Sequence, residues 1–154
     1  MITLAFYRGH GGSYRDRVVD ATIRTATGSI YSHVELIPSI ATLDASAYCL
    51  SSSPRDGGVR GKQIHLRADH WDLQTVRADP DEVRRRIGRH AHCPYDLCGA
   101  ILTPWRLSRP LSGSSRWFCS ELVAHGLGIY RPWTYAPGHL YDLVTVDGAI
   151  SEVP

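Results

Sequence analysis

Cys119 stands in the first turn of a helix predicted over Phe118 to Leu127, directly after a Gly- and Ser-containing loop. A helix N-terminus offers unpaired N–H groups and about half a positive charge, which favours thiolate over thiol. The same N–H groups can hold an oxyanion. On this reading Cys119 is a nucleophile; on the plainer one it is a small apolar residue of the core. A thiol nucleophile needs a base. Of the eight histidines, His33 sits in an otherwise apolar strand, Tyr31-Ser32-His33-Val34. Strand alternation puts His33, Glu35 and Ile37 on one face and Val34 and Leu36 on the other. A third group usually fixes the tautomer of such a base. Asp44 reaches His33 laterally if its strand pairs with the histidine strand. Glu35, two residues along the same face, competes for the role. The ordinary alternatives are a half-exposed strand histidine, a turn aspartate and a solvated strand glutamate.

These side chains need elements to mount them. Ile2 to Tyr7 is short, apolar and β-prone and reads as a strand. A loop, Gly9 to Ser13, leads into a helix over Tyr14 to Ala26, closed by Gly28. Four strand-like stretches follow: Ser32 to Ile37, Leu43 to Ser51, Val59 to Leu66 and Trp71 to Arg77. Turn residues separate them. From Asp79 to His92 acidic residues precede arginines, the order a helix dipole favours. A short helix is predicted over Tyr95 to Leu102, a loop over Arg106 to Arg116, and one more strand over Leu140 to Val146. Strands in the first half and helices in the second predict an α+β domain, an antiparallel sheet packed against helices.

The chain has 154 residues, 43% hydrophobic and 21% charged, with 14 Gly and 9 Pro. That is one globular domain, residues 1–154, and the composition excludes disorder and coiled coil. A net charge of +2 is too small for the basic stripe of a nucleic-acid binder. No apolar run is long enough for a membrane span. The start MITLAFYRGHGG does not read as a signal peptide. The chain is therefore expected in the cytoplasm, or on a virion, or delivered by a secretion machine.

Three further groupings are weaker. His90-Ala91-His92-Cys93, with Cys98 beyond, has metal-like composition, but the spacing matches no zinc ribbon, and histidines at a helix end are explained by its negative pole. Arg84-Arg85-Arg86 with Arg89 fans around a helix instead of making one face. Gly9-His10-Gly11-Gly12 lacks the Lys-Ser/Thr of a phosphate loop. No metal or organic cofactor is expected.

Five pieces together resemble a family. They are Ser32-His33-Val34, Leu43-Asp44-Ala45, Gly58-Val59, Pro94-Tyr95-Asp96 and an aromatic followed by Cys-Ser-Glu-Leu-Val, Phe118 to Val123. This pattern is similar to the circularly permuted branch of the NlpC-type papain-like cysteine hydrolases, YiiX-like proteins above all and lecithin:retinol acyltransferase-like proteins more distantly. It runs from about Ile2 to Leu143. The resemblance implies a permuted papain-like fold with Cys119 as nucleophile, His33 as base and Asp44 as orienting group. It also implies a peptide or acyl substrate: an amide of a cell-wall peptide, or alternatively a lipid acyl group, or binding without catalysis. Glu35 departs from the pattern, since many relatives carry a small residue there. It is a substrate contact or an alternative third member.

Overall fold

The computed structural model describes residues 1–9, 14–103 and 115–146. Five strands form one sheet: β1 (Ile2–Tyr7), β2 (His33–Ile37), β3 (Ser46–Ser53), β4 (Gly58–His65) and β5 (Trp71–Val76), in the order β4-β3-β2-β1-β5. Every neighbouring pair is antiparallel. The helices are α1 (Tyr14–Thr27), α2 (Pro80–Gly88), α3 (Leu97–Leu102), α4 (Cys119–Gly126) and α5 (Pro137–Val146). The fold is α+β, as the order of patterns along the sequence implies.

Alternation divides β1 and β2 between two apolar clusters. Ile2, Leu4, Phe6, Val34 and Leu36 join the main core with Leu122 and Val123 of α4. Ala5, Tyr7 and Ile37 join a second cluster with Cys49, Leu66 and Trp71. With both faces covered, β1 is buried at every residue, so its sequence reads as an unbroken apolar run rather than an alternating one.

Helix α4 is the centre of the main core. Seven of its eight residues are buried: Cys119, Ser120, Glu121, Leu122, Val123, Ala124 and Gly126. A helix apolar on nearly every side belongs inside a domain.

Three expectations are corrected. Leu140 to Val146 is not a strand; it lies within α5, where Leu140 and Val144, four residues apart, enter the core from one helical face. The helix expected to His92 ends at Gly88, and its continuation is a series of turns through His90 and Cys93. The strand expected from Leu43 begins at Ser46. The glycine-rich loop beyond Gly9 and most of the loop from Arg106 lie outside the described residues. Among the described residues no helix is long and apolar enough to cross a membrane.

Candidate active site

β2 is paired along its length with β1, Tyr7 opposite His33 and Ala5 opposite Glu35. That ladder fixes the backbone of both residues, and the pleat puts their side chains on one face. His33 Nε2 lies 2.8 Å from Glu35 Oε1. Glu35 is 1% exposed, so it needs a counter-charge. Arg60 of β4 supplies one: its two terminal nitrogens donate to Glu35 Oε2 at 2.7 Å and Oε1 at 2.5 Å. Arg60 Nε in turn donates to Asp56 Oδ2 at 2.7 Å, and Lys62 also donates to Asp56. The chain of contacts thus runs Asp56, Arg60, Glu35, His33.

Its far end is Cys119. The sulfur lies close enough to the His33 imidazole to act on its charge. With Nε2 engaged by the carboxylate, Nδ1 is the nitrogen left for the sulfur. Burial alone would push the His33 pKa down. The Cys119 sulfur and the Glu35 carboxylate outweigh burial and raise it to about 9. Burial pushes the Glu35 carboxyl up, but hydrogen bonds from Arg60 and His33 hold it below the usual carboxylate range. At neutral pH the structure therefore favours imidazolium beside carboxylate.

The approach to Cys119 is built by the segment before it. Trp117 N donates to Pro94 O, Asp96 N donates to Trp117 O, and Ser52 Oγ of β3 donates to the same carbonyl at 2.6 Å. Gly58, on the other side of the Pro94 segment, has φ +153, and a Cβ there would meet Cys93 O at 2.0 Å. Only glycine lets the two backbones close. The N-cap residue of α4, Phe118, makes no side-chain capping bond. The first-turn N–H groups beside the sulfur are thus not capped from within the helix.

The structure brings together Cys119, His33 and Glu35. It does not bring in Asp44. Because β3 begins at Ser46, Asp44 lies in the preceding turn at φ +59, exposed, and its Oδ1 accepts from Ala68 N at 3.0 Å. Aspartate tolerates the left-handed region and caps local N–H groups, which accounts for its identity at this turn. The third position beside His33 is held by Glu35. Arg60 went unnoticed in the sequence; its signal was a buried carboxylate with no cation within the same strand.

His33 and Glu35 line a cleft of about 180 Å³, with Tyr7, Ser32, Trp71 and Tyr95 among its walls. Cys119 does not line it and is only 1% exposed, packed into the main core. The first turn of α4 meets the imidazole, while the cleft opens on the imidazole's other surroundings. No protein-family model and no curated protein matches the chain.

The remaining cysteines are free: Cys49 buried, Cys93 half-buried and Cys98 exposed. Burial, with Glu35 nearby, pushes the Cys49 thiol up to about 12, which leaves it inert. The His90, His92 and Cys93 grouping is broken up. His92 turns away at φ +66, while His90 Nε2 lies 3.3 Å from His125 Nε2 of α4. The Trp117 ring packs on both imidazoles, at 4.3 and 5.0 Å between centroids. Burial holds both histidines below the ordinary range, reinforced by Arg89 at His90 and by His90, Arg86 and Arg89 at His125. Among the described residues no cluster of three or more metal-type donors occurs.

Proposed function

We propose that this chain is a cysteine-dependent amide hydrolase, with Cys119 as nucleophile, His33 as general acid and base, and Glu35 orienting the imidazole. The observation that carries the reading is one imidazole on a rigid strand, hydrogen-bonded to a buried carboxylate and close enough to a helix-terminal thiol for the sulfur to raise its pKa. The resemblance to permuted papain-like hydrolases supports the same Cys and His.

In this mechanism the Cys119 thiolate attacks the substrate carbonyl, a C–S bond forms, and the oxygen's charge is met by first-turn N–H groups of α4. The C–N bond then breaks as the His33 imidazolium gives its proton to the leaving amine. His33, now neutral, takes a proton from water; the hydroxide attacks the acyl carbon, and the C–S bond breaks to return the thiolate. Glu35 keeps the tautomer and stabilises the imidazolium, as a carboxylate does for a histidine base. The substrate class proposed is a peptide amide, a cell-wall stem peptide first. Since Cys119 is 1% exposed, an acyl group reaches the sulfur only if the side chains covering it move aside.

That burial favours a second reading, a binding module of the same fold without turnover. Iodoacetamide mapping separates the two, with exposed Cys98 as the reference thiol in the same chain. The enzyme reading expects Cys119 to be alkylated faster than Cys98 at neutral pH, and His33→Ala to remove the difference. Equal or slower labelling of Cys119, unaffected by His33→Ala, overturns it. Incubation with purified peptidoglycan and with phospholipid vesicles, scored for new amines and for free fatty acid, then decides between peptidase and lipid acyl chemistry.

A further inference from the structure

We propose that His90 and His125 form an acid-sensitive latch, which ties the C-terminal ends of α2 and α4 together while the imidazoles are neutral and lets go when both are protonated. His90 lies just beyond α2, and His125 lies in the last turn of α4. Their Nε2 atoms face each other at 3.3 Å. A neutral imidazole carries one N–H and one bare nitrogen, so a neutral pair can share this hydrogen bond, one ring donating and the other accepting. A first added proton leaves an acceptor in place. A second puts N–H groups on both facing nitrogens, two like charges with no acceptor between them, and the bond is lost.

The surroundings oppose added charge. Burial first, and then Arg89, disfavours a proton on His90; burial, His90, Arg86 and Arg89 do the same at His125. Arg86 Nε donates to Glu82 at 2.6 Å, which offsets part of its charge. β2, β3, α5 and the Pro132–Thr134 turn also pack on α4, but none brings a charge that acts on either ring, and neither does Glu121, one turn before His125. The joint is tight: a Cβ on Gly126 of α4 would stand 3.0 Å from Ile87 Cδ1 of α2. The Trp117 ring packs on both imidazoles, and its buried N–H has no hydrogen-bond partner among the described residues, so the seat of the ring depends on the pair. Trp117 stands two residues before Cys119, so release of the latch loosens the segment that presents the sulfur.

Both histidines are held below the ordinary value of 6.5, so as pH falls through 6.5 the unfolded chain takes up protons that the folded pair refuses, and stability is lost. Glu35 titrates below this window. His33 contributes with the opposite sign and equally in every protein compared. The experiment measures urea midpoints of the whole chain, of His90→Gln and of His125→Gln from pH 7.5 to pH 5.5. The wild type should lose midpoint relative to both variants as pH falls, approaching a roughly tenfold change in the unfolding constant per pH unit for each proton refused. Amide exchange at the ends of α2 and α4, corrected for its intrinsic rate, should quicken at pH 5.5 in the wild type while that of β1 does not. If a variant fails to fold, imidazole NMR titration of the wild type replaces it, and two histidines should titrate below 6.5 with mutually dependent midpoints. Parallel midpoint curves in all three proteins, exchange that rises equally in β1, or no histidine pair titrating below 6.5 overturns the proposal. None of these outcomes depends on whether Cys119 is catalytic.

Discussion

The His33–Glu35 pair and the His90–His125 pair each place a histidine within hydrogen-bond distance of a neighbour, and they differ in every consequence. His33 meets a carboxylate at 2.8 Å on a strand, and its pKa is raised to about 9. His90 and His125 meet each other and a tryptophan at two helix ends, and burial lowers both. Burial acts in the same direction on all three; the partners decide the outcome. The Cys119 sulfur first, and then a carboxylate kept charged by Arg60, turn one imidazole into an acid, whereas burial and like-charge surroundings hold the other two down.

The comparison is broken most severely by removing the acid. His33→Ala should lower amide turnover by about 10²–10⁴-fold, the usual range for general acid–base catalysis. His125→Ala should leave turnover within a few-fold. Comparable losses in the two variants would mean that the charged partner does not matter.

Next in size is the cation behind the carboxylate. Arg60→Ala leaves Glu35, 1% exposed, with a weaker counter-charge. Breaking such a buried pair costs roughly 3–5 kcal/mol, read as a lower urea midpoint. A midpoint within error of the wild type would show that Glu35 is solvated after all.

Acidity sharpens the contrast further. A group whose pKa is raised by folding stabilises the protein while both states are protonated. For His33 that contribution is fully present below about 6.5 and is lost as pH rises through about 9. Glu35 has the opposite sign: its pKa is depressed, so its contribution is lost as pH falls. Thermal unfolding scanned with pH should show a fall in stability approaching pH 9, absent in His33→Ala. Turnover should share that alkaline limb, because the leaving amine needs the imidazolium proton. A flat profile through pH 9 would remove the charged pair from the account.

The smallest effect is expected at Asp44. Asp44→Asn keeps the acceptor for Ala68 N and the tolerance of positive φ, so stability should change by less than about 0.5 kcal/mol. Turnover should be unaffected, whereas Glu35→Gln should reduce it. The reverse order would restore Asp44 to the orienting role.

The order of strands and helices up to α4 was legible because periodicity survives in a single chain: alternation in β2, a continuous apolar run in β1 and acidic residues ahead of arginines in α2. His33 and Cys119 were legible as residue types in telling places, and the structure brings them together. Asp44 misled because a strand start cannot be fixed to within two residues from composition, and those two residues separate a ladder position from a turn. Glu35 was visible as the competing carboxylate, but its cation lay 25 residues away across two strands, a relation only the sheet order reveals. The His90–His125 pair was hidden for a similar reason. Its members are 35 residues apart, and the local run His90 to Cys93 pointed to the wrong companions.

Helix α4 carries the sulfur at its first residue and is buried at nearly every other. Structural decay and loss of reactivity are therefore a single event for this protein. Heating should not produce a folded but inert species; the fast labelling of Cys119 expected of the folded protein should fall to that of an ordinary thiol as the whole domain opens. The thiol would then serve as a built-in reporter of whether the molecule is intact.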